Sequence, residues 1–232
     1  MIKSKYIAIF IIVIIAMAVI LIVKPHFSKY ESFTVDNYAL MNDPYDEPYI
    51  INNIITEEEA KHIIDNASIQ FSDSTILGQI VDRDIRKSKT AWLYKNSDSI
   101  IMRIMLRIAN IVKLPLENAE ALQIVKYEPD GYYKEHHDSC CDNVDDCTEF
   151  VKRGGQRVKT VLIYLNDDFT EGSTYFPVLN KKFKPPKYCA LIFNPLAGNS
   201  NKCHPKALHA GLPVKSGIKY IANVWFRESK FV

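Results

Sequence analysis

The chain has 232 residues, of which 47% are hydrophobic and 24% charged, and 29 basic residues against 27 acidic ones give a formal net charge of +2. This length suffices for one sizeable globular domain with an appendage. A near-neutral charge without a clustered basic face disfavours a dedicated nucleic-acid-binding protein, so no nucleic-acid partner is expected.

An apolar segment lies at the beginning of the chain. Tyr6 to Val23 is an uninterrupted run of eighteen apolar or aromatic residues between Lys5 and Lys24. A helix of that length spans about 27 Å, close to the hydrocarbon thickness of a bilayer. The run therefore predicts a transmembrane signal anchor at residues 1–24 and a single-pass membrane protein. The alternative is a cleaved signal peptide with Ala16-Met17-Ala18 at its cleavage site, although the apolar region of such peptides is usually shorter.

The orientation of this segment is not fixed by its flanking charges, because Lys3 and Lys5 precede it and Lys24 follows it. We expect a type II arrangement, with the soluble part in the endoplasmic reticulum or another secretory lumen. An oxidising lumen would permit one or two disulfides among the five cysteines. An odd number cannot all pair within one chain, and the sequence does not assign the connectivity.

Two helices are predicted after a polar stalk at residues 25–48, at the start of a soluble domain at residues 49–232. Thr56 and Glu59 form a capping box that opens the first helix. The second helix begins near Ser97-Asp98, and its isoleucines repeat at helical spacing from Ile100 to Ile111. We expect both helices to brace one face of a sheet.

Short strand patterns dominate the rest of the chain, separated by Gly, Pro, Asn and Asp clusters. The candidates are Ala121–Tyr127, Tyr132–His136, Val158–Leu165, Tyr188–Phe193, Ala207–His209 and Lys219–Phe226. Helices followed by many short strands predict an α+β, mainly β fold: a double-stranded β-helix, or jelly roll, with its core at about residues 120–228 and with N-terminal helices as support. The polar, Cys-containing segment Ser139–Gly155 predicts a mobile loop.

A candidate metal site begins at the end of one of these strands. His136 and Asp138 lie two residues apart, so both side chains project from the same face of a strand, whereas His137 projects from the other. A third ligand could come from His204 or His209. We favour His209, which lies in an apolar stretch, because His204 follows a polar stretch that is typical of a surface loop. Two histidines and one carboxylate with open positions form the ligand set of non-haem Fe(II) oxygenases.

Lys219 begins an alternating stretch that ends at Phe226. The period of two places Lys219, Ile221, Asn223 and Trp225 on one face. An inward lysine is unusual unless it is paired, and the carboxylate of a small dicarboxylate would supply the partner. The alternative is a lysine at a strand end whose ammonium group reaches water.

Residues 122–227 resemble the catalytic domain of the prolyl 4-hydroxylases, which are 2-oxoglutarate- and Fe(II)-dependent dioxygenases. The matching segments are Leu122–Tyr127, Tyr132–Asp138, Gly154–Asn166, Phe176-Pro177, Leu208–Val214, Gly217–Tyr220 and Trp225, with Arg86–Leu93 upstream. The ordered set covers most of the predicted soluble domain, which makes the resemblance specific.

The resemblance implies a role for each matched site residue. His136, Asp138 and His209 are expected to hold the iron, and Lys219 to pair with the distal carboxylate of 2-oxoglutarate. The walls of the same pocket are expected to include Tyr127, Thr160 and Trp225. Tyr132 and Arg227 are candidates for contacts with the substrate.

The implied reaction is the hydroxylation of peptidyl proline at C4, coupled to the oxidative decarboxylation of 2-oxoglutarate to succinate and CO2. It uses Fe(II) and O2, is supported by L-ascorbate, and takes a proline-rich or collagen-like peptide. Three departures from the usual pattern occur: Glu171–Pro177 in place of GGETxFP, Gly211–Val214 in place of GCPV, and Arg227 in place of a histidine. The alternatives are an Fe(II)/2-oxoglutarate hydroxylase of another protein side chain or a small molecule, and a non-catalytic jelly-roll binding domain. The oligomeric state is not predicted.

Overall fold

The structure is a computed structural model that describes residues 40–76, 80–141, 145–198 and 200–232. Among these residues, no helix has both the length and the apolar character that crossing a bilayer requires. The predicted anchor at residues 1–24 and most of the predicted stalk lie outside the described residues, so both stay predictions.

The described chain contains three α-helices, two 3-10 turns and fourteen strands. The helices are α1 (Glu57–Ser68), α2 (Ser99–Val112) and α3 (Asp145–Lys152), and the 3-10 turns are Leu116–Asn118 and Pro205–Ala207. The strands are β1 (Tyr49–Ile51), β2 (Ser72–Asp73), β3 (Arg86–Lys87), β4 (Lys89–Leu93), β5 (Leu122–Tyr127), β6 (Tyr132–His136), β7 (Arg157–Tyr164), β8 (Phe169–Glu171), β9 (Thr174–Phe176), β10 (Lys181–Phe183), β11 (Ala190–Phe193), β12 (His209–Gly211), β13 (Val214–Gly217) and β14 (Lys219–Arg227).

Both predicted helix starts are confirmed by their caps. The Thr56 side chain accepts a hydrogen bond from the Glu59 N–H, and the Glu59 carboxylate accepts one from the Thr56 N–H. Asp98 caps α2 by accepting from the N–H groups of Ile100 and Ile101. These bonds satisfy amide groups that a helix start otherwise leaves unpaired.

Two antiparallel sheets form the mainly β core. The larger has the strand order β1-β11-β7-β14-β5-β4-β2, and the smaller has the order β10-β9-β12-β6-β3. Alternate residues of β14 point to opposite sides: Ala222 and Val224 pack in the cluster that holds α1 and α2, whereas Ile221 packs with Phe176 of the smaller sheet. The helices therefore support one face of the larger sheet, and the space between the sheets is left for the site.

Five of the six predicted strands are found within two residues of their expected bounds, but the prediction of Ala207–His209 is wrong. Pro205–Ala207 forms a 3-10 turn, and strand β12 begins only at His209. Proline favours the first position of such a turn because its missing N–H is not needed there. The His204 side chain accepts from the Lys206 N–H and so caps the same turn.

The segment Ser139–Gly155 also differs from its prediction, since helix α3 occupies residues 145–152. Two disulfides hold this region: Cys140 pairs with Cys147, and Cys141 pairs with Cys203. Cys189 is buried and free. A run of only eight helical residues is too short for a clear periodic signal, which explains the error.

Candidate active site

Three predicted metal ligands come together where β6 and β12 pair. His136 ends β6 and is the register partner of His209, the first residue of β12, while Asp138 follows β6 directly. Their candidate ligand atoms all lie within 4.8 Å of one another. Asp138 Oδ1 is 3.9 Å from His136 Nε2, and Asp138 Oδ2 is 3.8 Å from His209 Nε2. The sheet register thus brings together residues that are more than seventy positions apart in the chain.

Backbone carbonyls fix the orientation of both imidazole rings. His136 Nδ1 lies 2.8 Å from the Lys134 carbonyl oxygen, and His209 Nδ1 lies 3.0 Å from the Ala207 carbonyl oxygen. A carbonyl only accepts, so each Nδ1 carries the proton and each Nε2 keeps its lone pair. Both lone pairs are therefore available to a metal ion on the Asp138 side.

The charge states of the cluster also suit a metal. Burial, and then the nearby His209, lower the pKa of His136 well below its usual value. Burial opposes ionisation of Asp138, but His209, His136, Arg157 and the Thr160 hydroxyl together hold its pKa at about 2. Metal ligands must be deprotonated to bind. A neutral His136 imidazole and an ionised Asp138 carboxylate, grouped with His209, fit Fe(II).

A cavity of about 510 Å³ extends from this cluster between the two sheets. Lys219, Ile221, Asn223 and Trp225 of β14 all line it, which confirms the predicted alternation of that strand. Thr174 and Gly211 line it from the smaller sheet. The cavity is therefore open to both the metal cluster and the lysine.

Lys219 is buried in this cavity with only 2% of its surface exposed. Its Nζ donates to the Gly172 carbonyl oxygen over 2.7 Å and lies 5.3 Å and 5.0 Å from the rings of Tyr127 and Tyr164. Burial, with Lys184 as a second cause, lowers the pKa of Lys219 to about 7. In the part of the chain that the structure describes, no acidic side chain forms an ion pair with it. A buried ammonium group without a carboxylate suits an acidic ligand.

The predicted pocket residues Tyr127 and Trp225 both line the cavity, but Thr160 has a different position. Thr160 is 1% exposed, and its hydroxyl donates to Asp138 Oδ2 over 2.7 Å. It therefore contacts the carboxylate of the metal cluster and orients it. Trp225 packs against Arg157, whose guanidinium carbon lies 3.7 Å from the ring centre.

Tyr132, a predicted substrate contact, lies outside the lining of the cavity, and its contact with a substrate stays a prediction. Tyr132 donates its hydroxyl to the carbonyls of Arg83 and Asp84, away from the cavity. Tyr133 lines the cavity instead and stacks on His136, with the ring centres 3.5 Å apart. The cause is a bulge: His136 pairs with His209 but Tyr133 pairs with Gly211, so β6 has one extra residue there. An extra residue reverses the alternation of faces on the two sides of the bulge.

Arg227 lines the cavity, and its Nε and Nη1 donate to groups of the protein itself. It is 1% exposed, its Nε donates to Glu120, and its Nη1 donates to the carbonyls of Phe150 and Gly155. Arg227 thus holds the α3 segment, and its predicted contact with a substrate stays a prediction. The position is buried because β14 continues to Arg227, one residue beyond the predicted strand end.

The Glu120–Arg157 pair was missed by the sequence analysis. Arg157 donates through Nε and Nη2 to the Glu120 carboxylate over 2.7 Å and 2.9 Å, and through Nη1 to the Asp138 carbonyl over 3.1 Å. It therefore supports the loop that carries Asp138. The signal available was an arginine within the matched segment Gly154–Asn166, and nothing in the sequence indicated its partner.

His204 is buried, contrary to the surface loop that the sequence predicted. Its ring packs against Tyr45 with the ring centres 4.4 Å apart, and its Nδ1 accepts from the Lys206 N–H. It is not part of the cluster of His136, Asp138 and His209. The choice of His209 over His204 therefore agrees with the geometry.

Removing the Thr160 hydroxyl is expected to weaken metal binding. Thr160→Val keeps the shape of the side chain but leaves Asp138 Oδ2 without its donor. Partners that orient metal ligands contribute about 10- to 100-fold to affinity or activity. We expect that loss in Fe(II) affinity, measured by titration under anaerobic conditions, with little change in the Michaelis constant for 2-oxoglutarate. Thr160→Ser is the matched control and should bind Fe(II) nearly normally, and equal binding by the valine variant would refute this role.

Removing the Arg227 guanidinium is expected to lower stability. Arg227→Met removes the Nη1 donor of two partly buried carbonyls and one of the two arginine partners of the buried Glu120. Breaking such an arrangement costs about 3 kcal/mol. Urea unfolding should show this decrease in the free energy of unfolding. Arg153→Met is the control: Arg153 is exposed, so its replacement should change the free energy of unfolding far less. Equal effects of both changes would contradict the assigned contacts.

Known proteins share both the sequence and the fold of this chain. The family model described as the 2OG-Fe(II) oxygenase superfamily matches residues 122–227. A putative prolyl 4-hydroxylase of Acanthamoeba polyphaga mimivirus is 51% identical over 195 residues, which cover 84% of this chain and 80% of the relative. Prolyl 4-hydroxylase 1 of Arabidopsis thaliana is 33% identical over 198 residues, which cover 77% of this chain and 68% of the relative.

Two solved structures are also similar. A viral collagen prolyl hydroxylase from Paramecium Bursaria Chlorella virus-1, solved as its 2OG complex, is 29% identical with a TM-score of 0.60, and the match covers 78% of this chain and 95% of that one. A prolyl hydroxylase from Trichoplax adhaerens is 19% identical with a TM-score of 0.58, covers 78% of this chain and 83% of that one, and supports the fold alone. The jelly-roll prediction is therefore confirmed.

Proposed function

This chain belongs to the prolyl 4-hydroxylase family of 2OG-Fe(II) oxygenases, and we propose that it hydroxylates C4 of a proline within a peptide. One oxygen atom of O2 enters the C–H bond, and the other enters the succinate that forms, with CO2, from 2-oxoglutarate. A single observation carries the proposal: one cavity contains both the metal cluster and the unpaired Lys219. 2-Oxoglutarate requires a metal ion at its reacting end and a cation for its distal carboxylate, and these two features would supply them.

The metal ligands act by orientation and charge. When bound, Fe(II) supplies the activation of O2 that couples decarboxylation to C–H oxidation. His136 and His209 offer Nε2, because backbone carbonyls hold the proton on each Nδ1. Asp138 stays ionised, and Thr160 and Arg157 hold it in place. Among the described residues this group offers three protein ligands, which would leave positions for the co-substrate and O2.

Lys219 is the proposed partner of the distal carboxylate of 2-oxoglutarate. Its ammonium group is held by Gly172 among the aromatic rings of Tyr127, Tyr164 and Phe169. Such surroundings exclude water, and a charge pair is stronger where the dielectric is low. The Lys219–carboxylate pair would therefore fix which end of the acid points to the metal.

The proposed substrate is a proline-rich or collagen-like peptide. A polyproline-type chain is already extended, so little entropy is lost when it binds, and it docks well on aromatic surfaces. Tyr133 and Trp225 present aromatic rings to the cavity, and Arg157 lies against Trp225. L-Ascorbate is proposed to sustain turnover by reducing iron that has become oxidised without product formation.

The function is tested with a panel of proline-rich and collagen-like peptides, incubated with Fe(II), 2-oxoglutarate, O2 and ascorbate. Tandem mass spectrometry should locate one added oxygen on a proline, and succinate should form in equal amount. Matched peptides with alanine at that position should remain unmodified. Succinate formation with another protein side chain or a small molecule, without hydroxyproline on any peptide, would favour another hydroxylase. Binding without succinate from any substrate would favour a non-catalytic domain.

We propose that this chain is a type II membrane protein whose catalytic domain lies in the secretory lumen. The apolar run from Tyr6 to Val23 supports an anchor, and two disulfides within the catalytic domain are typical of an oxidising compartment. In this arrangement the catalytic domain would act on peptides on their way through the lumen.

Removing residues 1–30 is expected to yield a soluble and active enzyme, because every site residue lies beyond residue 80. The full-length chain should stay with membranes during extraction with alkaline carbonate, and its N-terminus should remain intact. Fractionation and N-terminal sequencing check both points. Recovery of a chain that begins near Val19 would show a cleaved signal peptide and refute the anchor.

A further inference from the structure

The structure contains a second group of side chains that could bind a metal, in addition to the proposed iron ligands His136, Asp138 and His209. The proposed reaction does not use this second group. One ligand atom each from His137, Cys141 and Cys203 lies within 4.8 Å of the other two. His137 stands between His136 and Asp138 in the sequence but belongs to this second group. Both groups therefore take residues from the segment that follows β6, but the first offers imidazole and carboxylate ligands and the second imidazole and sulfur ligands.

Cys141 and Cys203 form a disulfide that joins two parts of the chain. Cys141 follows Asp138 by three residues, and Cys203 precedes His209 by six, so the bond links the two segments that carry iron ligands. The two sulfurs lie 3.0 Å and 3.5 Å from the Ser139 carbonyl oxygen. That oxygen accepts hydrogen bonds, so it offers a partner to the S–H groups of the reduced form.

An unpartnered nitrogen of His137 is a second, independent observation that points to a ligand at this group. Its Nδ1 is buried and has no hydrogen-bond partner among the described residues. Most buried polar atoms in proteins are hydrogen-bonded, and each exception requires a reason. His137 therefore has a ring nitrogen that no hydrogen bond occupies, and an imidazole grouped with two sulfurs is a donor set suited to a soft metal ion.

We propose that His137, Cys141 and Cys203 bind Zn²⁺ when the disulfide is reduced. A dithiol reductant supplies two electrons and two protons, so the S–S bond breaks, two thiols form, and the dithiol becomes a cyclic disulfide. Binding of Zn²⁺ then forms two zinc–thiolate bonds and releases two protons to solvent, while His137 donates a lone pair.

The distances and the donor types support zinc over iron at this site. Ligands bound to zinc at about 2.0–2.3 Å lie about 4 Å from one another. Reduction frees the two sulfurs to separate to that distance, and the His137 ligand atom already lies within 4.8 Å of both. Two thiolates and one imidazole select zinc, whereas two imidazoles and one carboxylate suit Fe(II). Zinc would then join the same two segments that the disulfide joins in the oxidised protein.

The test uses Co²⁺ as a spectroscopic substitute for zinc in the whole chain. Cobalt bound to thiolates gives an intense near-ultraviolet charge-transfer band, which the thiolate-free iron cluster cannot give. The background variant carries Cys140→Ser and Cys147→Ser, so the other disulfide contributes no thiols. The protein is reduced with a dithiol, desalted without oxygen, and titrated with Co²⁺ and then with Zn²⁺.

The proposal predicts a thiolate–cobalt band that saturates at one ion per chain in the reduced protein and is absent from the oxidised protein. Zn²⁺ should displace it. The band should disappear in Cys203→Ser, and Co²⁺ affinity should fall at least tenfold in His137→Ala, with the fold checked by circular dichroism. Cys189→Ser is the matched control and should keep the band. Absence of the band in the reduced protein, or its survival in Cys203→Ser, would overturn the proposal.

Discussion

Asp138→Ala is expected to reduce turnover by more than about 100-fold and to weaken Fe(II) binding at least as much. Loss of a mere orienting partner of a metal ligand already costs about 10- to 100-fold, and Asp138 is proposed as a direct ligand. Among the described residues the alanine also removes the one carboxylate of this group, so two imidazoles would remain to hold a divalent ion. His136→Ala and His209→Ala should have effects of the same size.

Fe(II) titration and succinate release measure these losses separately. His62→Ala is the matched control, because His62 lies on α1 and hydrogen-bonds to Asp98, outside the metal cluster. It should retain Fe(II) binding and turnover. Loss of Fe(II) binding in His204→Ala, with normal binding in His209→Ala, would show that the distal ligand is assigned wrongly.

Lys219→Met is expected to raise the Michaelis constant for 2-oxoglutarate by about 100- to 1,000-fold. Leaving a buried charge without its partner costs about 3–5 kcal/mol, and each 1.4 kcal/mol corresponds to about tenfold in affinity. Methionine fills similar space without the charge, so the cavity should keep its shape. Because Lys219 has no acidic partner among the described residues, we expect the melting temperature of Lys219→Met to be no lower than that of the unchanged protein.

Lys219→Arg should bind 2-oxoglutarate more weakly than the unchanged protein, since a planar guanidinium places its donors differently from an ammonium group. Steady-state kinetics with 2-oxoglutarate as the varied substrate measure both variants. A Michaelis constant that is unchanged in Lys219→Met would remove Lys219 from the proposed role.

The same lysine predicts how co-substrate affinity depends on pH. Burial and the nearby Lys184 lower the pKa of Lys219 to about 7, and the other groups that face it are the rings of Tyr127 and Tyr164. Below that pKa the lysine is charged and ready to bind a dicarboxylate, and above it the free enzyme must first take up a proton. Affinity for 2-oxoglutarate should therefore fall by about tenfold per pH unit above 7. Lys219→Arg stays charged and should not show this fall.

The sequence predicts the features that depend on local pattern. Thr56 and Asp98 mark the helix starts because a cap is a local chemical signal. The alternation of β14 was correct because that strand is regular from Lys219 to Trp225. The sequence predicts the grouping of His136, Asp138 and His209 because the first two are close in sequence and a third ligand had few candidates, and the structure places the three together.

The remaining features depend on contacts that no local pattern records. A single extra residue in β6 brings Tyr133, and not Tyr132, to the cavity. Glu120 meets Arg157 and Arg227 across 37 and 107 positions in the chain. The Thr160 hydroxyl points at Asp138 only because β7 runs beside the end of β6 in space. Such contacts are consequences of the sheet register, which the sequence analysis did not determine.

The proposed reaction is tested most directly by one labelling measurement. The full chain is incubated with Fe(II), 2-oxoglutarate and a peptide that it modifies, in an atmosphere of ¹⁸O2. The masses of the peptide and of succinate are then measured by mass spectrometry. We expect one labelled oxygen in 4-hydroxyproline and one in succinate, in equal amounts, and neither product in Asp138→Ala. Hydroxyproline without label, labelled succinate with an unmodified peptide, or both products from Asp138→Ala would contradict the proposed reaction and its metal site.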